Sequence, residues 1–188
     1  MGSKQAEIGR VSQKGQLMSA SEIDRTLRRL AHEIITRNEG VEDLVLIGIR
    51  RRGVPLAERL ARKIEEIQGT PTAVGELDIT YHRDDRSREH GKPVVQAAPL
   101  PFPIQDKGII LVDDVLYTGR TARAALDALV DQGRPRRVQL CVLIDRGHRE
   151  LPIQANYVGR AVPTTEDQFI EVRLREVDEE DRVLVVEP

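Results

Sequence analysis

The chain has 188 residues, of which 39% are hydrophobic and 3% aromatic, and its formal net charge is −2. This hydrophobic fraction excludes a disordered chain, and the nearly neutral charge argues against a general nucleic-acid coat protein. Neither a secretion signal nor a membrane span is predicted, because no apolar run is long enough to cross a bilayer. The only cysteine, Cys141, excludes a disulfide within the chain and agrees with a cytoplasmic location.

The N-terminal part divides into a polar stretch and a helix. Residues 1–18 lack hydrophobic periodicity, which predicts a flexible tail before a single domain over residues 19–188. Ser19-Ala20-Ser21-Glu22 has the form of a capping box, in which a hydroxyl and a carboxylate bind free backbone N–H groups at a helix start. The following helix is predicted to bury one apolar stripe, formed by Ile23, Leu27, Leu30 and Ile34.

Apolar runs alternate with amphipathic helices along the rest of the chain. The predicted strands are Leu44–Ile49, Thr72–Thr80, Ile109–Val112, Val138–Ile144, Phe169–Leu174 and Arg182–Val186, and the predicted helices between them are 53–68 and Thr121–Asp131. Continuous apolar runs are typical of strands that are covered on both faces. The alternation therefore predicts an α/β fold with a mostly parallel central sheet, right-handed crossovers and flanking helices.

Residues between Tyr81 and Asp106 show little periodicity, with charged residues first and prolines last. A loop of this length inside a compact domain is either a mobile connection or a functional lid. The motifs on both sides favour a lid over about residues 81–91, and Arg83 is the lid residue expected to reach a bound diphosphate.

The strand Ile109–Val112 leads into an acidic pair and a turn, with the residues Asp113, Asp114, Val115, Leu116, Tyr117, Thr118, Gly119, Arg120 and Thr121. In open α/β sheets, ligands bind outside the carboxyl ends of the strands. Gly119 allows the backbone to approach phosphate oxygens, and the following helix start offers unpaired N–H groups. The segment predicts a phosphate cradle beside carboxylates suited to vicinal hydroxyls. It is neither a Walker loop nor a dinucleotide loop, because both glycine patterns are missing.

A basic turn, Arg50-Arg51-Arg52-Gly53, follows the strand Leu44–Ile49. Its position at the carboxyl end of a strand directs it toward the same region as the phosphate cradle. Guanidinium groups bind phosphate oxygens through two parallel hydrogen bonds. The turn is therefore either a diphosphate site or, judged by itself, a solvated basic turn.

The segment Ile109–Thr121 resembles the phosphoribosyl diphosphate (PRPP) motif of the type I phosphoribosyltransferases. The resemblance implies that family's fold, with a small hood and a flexible active-site lid. It assigns Asp113 and Asp114 to the ribose hydroxyls, Leu116–Thr121 to the 5′-phosphate, and Arg51 with Arg52 to the diphosphate. Asp113, Asp114 and Arg83 are then the catalytic candidates. Mg²⁺ is expected to bind together with PRPP, and most of its ligands are expected to be water and substrate oxygens.

Two further features indicate which nucleobase receives the phosphoribosyl group. Tyr117 occupies the position of an aspartate that family members acting on hypoxanthine and guanine carry, which disfavours those purines. The run Asp145–Ile153 resembles the bifunctional pyrimidine operon attenuation regulators with uracil phosphoribosyltransferase activity, a resemblance that covers nearly everything after Ser19. It implies uracil and uridine monophosphate (UMP) as ligands, bound by Asp145, Arg146, Val158, Gly159 and Arg160. A purely structural pair of Asp145 with Arg146 remains open.

The exposed face of the first helix is basic, with Arg25, Arg28, Arg29 and His32 opposite the apolar stripe. Such a face is by itself compatible with simple solvation. The resemblance implies binding of messenger RNA leaders, and His32, His148 and Arg149 match positions that the family uses. Relatives carry a threonine where this chain has Arg28.

Three functions are compatible with these observations. The leading hypothesis is an enzyme and an RNA-binding regulator on one homo-oligomeric fold, which transfers phosphoribosyl from PRPP to uracil and gives UMP and diphosphate. The second is an RNA-binding nucleotide sensor without significant catalysis. The third is a salvage phosphoribosyltransferase with no RNA role. An assay with uracil separates the first two, and RNA binding separates the first from the third.

Overall fold

The computed structural model describes residues 12–80 and 98–187. The elements are β1 Ser12–Met18, α1 Ala20–Arg37, β2 Leu44–Ile49, α2 Gly53–Gln68, β3 Ala73–Leu77, β4 Gly108–Leu116, α3 Arg120–Val130, β5 Arg137–Asp145, β6 Tyr157–Ala161, β7 Phe169–Arg173, α4 Arg175–Asp178 and β8 Arg182–Glu187. The expected lid over residues 81–91, with Arg83, lies outside the described residues. None of the described helices has the length and apolar character of a membrane span.

The larger sheet has five parallel strands in the order β3-β2-β4-β5-β6. Helices α1 and α2 cover one face, where Leu27 and Leu60 belong to a buried cluster with Leu46. Helix α3 covers the opposite face, where Leu129 joins a second cluster with Ile47. A fully buried leucine of this kind contributes about 1.5–3 kcal/mol to folding. The predicted α/β architecture with a mostly parallel sheet is confirmed.

Helix α1 begins as its sequence predicts. The Glu22 amide donates to Ser19 Oγ at 3.3 Å, and the Ser19 amide donates to Glu22 Oε2 at 2.7 Å, so the capping box is complete. The predicted apolar stripe is buried, with relative exposures of 0–2% for Ile23, Leu27, Leu30 and Ile34. The opposite face of α1 is left to solvent, which places its basic residues on the surface.

A second, three-stranded antiparallel sheet of order β1-β8-β7 forms the hood. It requires a correction, because Ser12–Met18 were expected to belong to a tail and instead form β1. Ser12 lies opposite Glu187 and Met18 opposite Val183 in the β1–β8 pair. The side chains of β1 do not alternate in polarity, and backbone pairing with β8 holds the strand. Strand β6 and helix α4 were not predicted either.

Ion pairs join the hood to helix α2. The Arg59 guanidinium binds Glu176 at 2.8 Å and Asp181 at 2.7 Å, and its side chain is only 15% exposed. Arg52, just before α2, binds Asp178 of α4. These pairs fix the hood against the end of the parallel sheet where β2 and β4 finish.

We expect Glu176→Gln to lower the melting temperature by about 2–4 °C near neutral pH. The Arg59 hydrogen bond holds the pKa of Glu176 below its usual 4.5. The stabilisation is therefore complete above about pH 4.5 and is lost as the pH falls through the lowered folded-state pKa. Calorimetry between about pH 7 and pH 3 should show the difference from wild type shrinking. A difference that stays constant over this range would contradict the ion pair's contribution.

Candidate functional site

The acidic pair lies within the last part of β4, whereas the sequence placed it just after the strand. Asp113 Oδ1 accepts from the Asp114 amide at 2.9 Å, and Asp114 Oδ1 accepts from the Val115 amide at 2.8 Å. Burial raises the pKa of Asp114, and the positive charge of Arg52 opposes that rise. The strand therefore delivers two adjacent, partly buried carboxylates to its carboxyl end.

The turn after β4 is held in place by its neighbours. Gly119 has φ 93°, a left-handed conformation, and a Cβ there would lie 3.3 Å from Ile153 Cβ. The Thr118 carbonyl accepts from the amides of Glu150 at 2.9 Å and Leu151 at 3.1 Å. The loop after β5 thus fixes the turn in front of the first turn of α3.

A pocket of about 180 Å³ lies at this turn. Its walls are formed by Asp113, Val115, Leu116, Tyr117, Thr118, Gly119, Arg120, Thr121, Ala122, Leu140 and Val142. The backbone N–H groups at the start of α3 and the threonine hydroxyls are donors suited to an anion. All members of the predicted cradle except Asp114 line this one pocket.

The basic turn packs tightly on β4. A Cβ at Gly53 would lie 2.4 Å from the Val112 carbonyl oxygen, so only glycine permits this approach. Arg50 pairs with Glu76 and Asp78, and Arg52 binds Asp178.

The remaining arginine of the turn, Arg51, is exposed and forms no ion pair within residues 12–80 and 98–187. The two predicted diphosphate ligands therefore differ, since the Arg52 side chain is already held and that of Arg51 is available.

The first two uracil candidates lie at the end of β5. Arg146 is only 4% exposed, and its guanidinium carbon lies 3.9 Å from the Tyr117 ring centroid. Its Nε donates to Thr164 Oγ1 at 3.2 Å. Asp145 accepts from Arg149 Nη2 at 2.6 Å and so pairs with that residue rather than with Arg146. Arg146 is thus a buried cation stacked on a ring that borders the pocket.

The other uracil candidates lie away from the pocket walls. Arg29 Nη2 donates to the carbonyls of Val158 at 3.2 Å and Gly159 at 2.5 Å, so these oxygens face α1. Arg160 donates to the Leu17 carbonyl in β1. These contacts occupy the carbonyls of Val158 and Gly159 and the guanidinium of Arg160, and the assignment of these three residues to uracil stays a prediction.

The RNA candidates divide into two groups. Arg25, Arg28, Arg29 and His32 are exposed on α1, as expected. Arg28 pairs with Glu66 at 3.2 Å, and Arg29 pairs with Glu33. His148 is exposed, and its Nε2 lies 2.6 Å from the Thr164 carbonyl oxygen.

Arg149 is held inside a hydrogen-bond network. It donates to the carbonyls of Ile153 and Tyr117, both at 2.8 Å, and to Asp145. Through these bonds Arg149 connects the turn after β4 to the loop after β5 and to the end of β5.

Phe169 was missed as a neighbour of the site, although its ring centroid lies 5.7 Å from the Arg146 guanidinium. Its rarity, as one of two phenylalanines, is the only local signal.

Solved structures of similar fold include hypoxanthine phosphoribosyltransferases. A hypoxanthine-guanine phosphoribosyltransferase from Bacillus anthracis matches with a TM-score of 0.69 and 22% identity, covering 93% of this chain and 99% of that one. The hypoxanthine phosphoribosyltransferase of Trypanosoma cruzi matches with a TM-score of 0.71 and 18% identity, covering 94% and 98%. These likenesses confirm the predicted fold.

Sequence comparisons are more specific. The model of the phosphoribosyl transferase domain matches residues 15–176. A relative named bifunctional protein PyrR from Clostridioides difficile is 55% identical over 93% of this chain and 99% of its own length. Its namesake from Thermus aquaticus is 56% identical over 90% of this chain and 94% of its own. The chain therefore belongs to the phosphoribosyl transferase domain family and, within it, to the group of the bifunctional PyrR proteins.

Proposed function

We propose that this protein transfers the phosphoribosyl group of PRPP to uracil and also binds messenger RNA to regulate pyrimidine biosynthesis genes. The observation that carries the enzymatic part is the pocket at the end of β4, which combines Asp113, one residue of the acidic pair, with a turn suited to an anion. The regulatory part rests on membership of the bifunctional group. The cytoplasmic location and the homo-oligomer stay predictions.

The proposed reaction joins uracil N1 to C1′ of the ribose as the bond from C1′ to the diphosphate oxygen breaks, and the proton on N1 is released together with the diphosphate. The 5′-phosphate would bind the turn Thr118–Thr121, and the ribose hydroxyls would bind Asp113 and Asp114. Positive charge developing on the ribose favours nearby carboxylates, and negative charge on the leaving diphosphate favours Arg51 and Arg52. Positioning and electrostatic stabilisation would therefore supply most of the rate enhancement.

A divalent ion fits the donor set of this site. Asp113 and Asp114 offer carboxylate oxygens, the ligands that Mg²⁺ prefers, and the substrate brings diphosphate and hydroxyl oxygens. We propose that these two residues hold the ion together with PRPP and water. When bound, the ion would neutralise part of the diphosphate charge.

Uracil is best placed beside Tyr117 and Arg146. The Tyr117 ring is 38% exposed, borders the pocket and stacks on the buried guanidinium of Arg146. A flat base can stack on the face of the ring that the guanidinium leaves open. Asp145, Val158, Gly159 and Arg160 remain less supported, because their polar atoms described above bind other parts of the chain.

Replacing Asp113 and Asp114 together with Asn should reduce UMP formation by about 100-fold or more, because both would lose the charge that faces the ribose. Radiolabelled PRPP with uracil gives the rate, and circular dichroism reports folding. Asp127→Asn, on the exposed side of α3, is the matched control and should keep normal activity. A double variant that retains wild-type activity would refute the assignment.

Base choice is tested with a panel of free bases. We expect UMP from uracil and no inosine monophosphate from hypoxanthine, because Tyr117 supplies no carboxylate to a purine. Chromatography of the products measures both. Formation of inosine monophosphate above background would reject the assignment of Tyr117.

The RNA surface is tested on α1, since Arg149 is committed to the loop after β5. Arg25→Gln with Arg28→Gln should weaken binding of a pyrimidine-gene leader RNA. It should also flatten the dependence of log affinity on log salt by about 0.7 for each phosphate that the variant no longer neutralises. Filter binding at several salt concentrations gives both values, and UMP formation should be unchanged. Arg134→Gln with Arg136→Gln, two exposed residues before β5, removes the same number of charges and is the matched control. Equal losses in both variants would argue against a specific surface.

A further inference from the structure

The hood holds the basic turn through one carboxylate. Asp178 in α4 accepts two parallel hydrogen bonds from Arg52, at 3.0 Å from Nε and 2.7 Å from Nη2. Asp178 Oδ2 also accepts from the Leu174 amide at 2.9 Å, which anchors the carboxylate to the hood backbone. The side chains are only 30% and 18% exposed, so the pair is largely shielded from water.

Arg52 lies between the hood and the acidic pair. Its pKa is raised by the hydrogen bonds to Asp178, with further contributions from the charges of Asp114 and Glu171. The pair with Asp178 uses two of the five guanidinium N–H groups, which leaves three for another acceptor. The next residue, Gly53, packs on the Val112 carbonyl, so the base of Arg52 is fixed on β4.

We propose that Asp178 is a positioning residue for PRPP, which orients the Arg52 guanidinium so that its remaining N–H groups face the diphosphate. This inference rests on the proposed transfer reaction. Bidentate phosphate binding depends on the plane of the guanidinium, and a group already held in that plane loses less freedom when the ligand binds. The diphosphate site is therefore assembled from the core and the hood together.

Glu176 provides a matched control for Asp178. It lies in the same short helix and also accepts two hydrogen bonds from an arginine, at 2.8 and 2.5 Å. Its partner is Arg59, within α2, and no hydrogen bond joins Glu176 to Arg52 in the described part of the chain. A variant at Glu176 therefore weakens the attachment of the hood without changing the Asp178–Arg52 pair.

The experiment compares steady-state kinetics of wild type, Asp178→Asn, Arg52→Gln, their double variant and Glu176→Gln. Asp178→Asn should raise KM for PRPP about 10-fold and leave KM for uracil unchanged. In the double variant, Asp178→Asn should add little to the effect of Arg52→Gln, because it acts through that side chain. Glu176→Gln should lower thermal stability but keep the wild-type KM for PRPP.

Several results would overturn the inference. An unchanged KM for PRPP in Asp178→Asn, or effects that multiply fully in the double variant, would show that Asp178 only supports the fold. A lower KM would show that the carboxylate competes with diphosphate for Arg52.

If Asp178→Asn does not fold, Asp178→Glu displaces the carboxylate by one methylene group and should raise the same KM for PRPP. If wild type forms no UMP, the proposed function fails, and calorimetric binding of inorganic diphosphate to the same variants tests the inference separately.

Discussion

The close contact between Gly53 and strand β4 is the constraint on which the site depends. A Cβ at Gly53 would lie 2.4 Å from the Val112 carbonyl oxygen. The backbone after β2 can therefore pack against β4 only if residue 53 is glycine. This contact brings the basic turn beside the acidic pair. It also fixes the start of α2, whose Arg59 reaches the hood. The proposed diphosphate ligands, the proposed ribose ligands and the hood are thus connected through this one contact.

The sequence predicted the parts of the fold that have strong local patterns. The apolar runs of β2, β4 and β5 are continuous because helices cover both faces of the sheet, and the capping box at Ser19 is a purely local signal. Strand β1 carries no such pattern, since Gly15 and Gln16 are exposed and only the end of the strand is buried. Residues 12–18 form a strand because they pair with β8, which lies far along the chain. No local pattern could therefore predict this strand.

The pocket of the candidate site was predictable because most of its lining residues are neighbours in sequence. The turn after β4 forms one pocket, because a short segment supplies nearly all of its polar atoms. Arg149 shows the limit of this reasoning. The family resemblance implied that it lies on an RNA-binding surface, but its partners include the Tyr117 carbonyl, 32 positions away in sequence. Residues whose roles depend on such tertiary contacts, including Asp178, leave no local pattern.

Arg29 also affects how the sheet ends. In the part of the chain that the structure describes, β6 lies at one edge of the parallel sheet, and an edge strand offers backbone acceptors to an extended segment of another molecule. The Arg29 guanidinium binds the carbonyls of Val158 and Gly159 in this strand. A charged side chain at this edge hinders strand addition and so protects the folded protein from edge-to-edge aggregation.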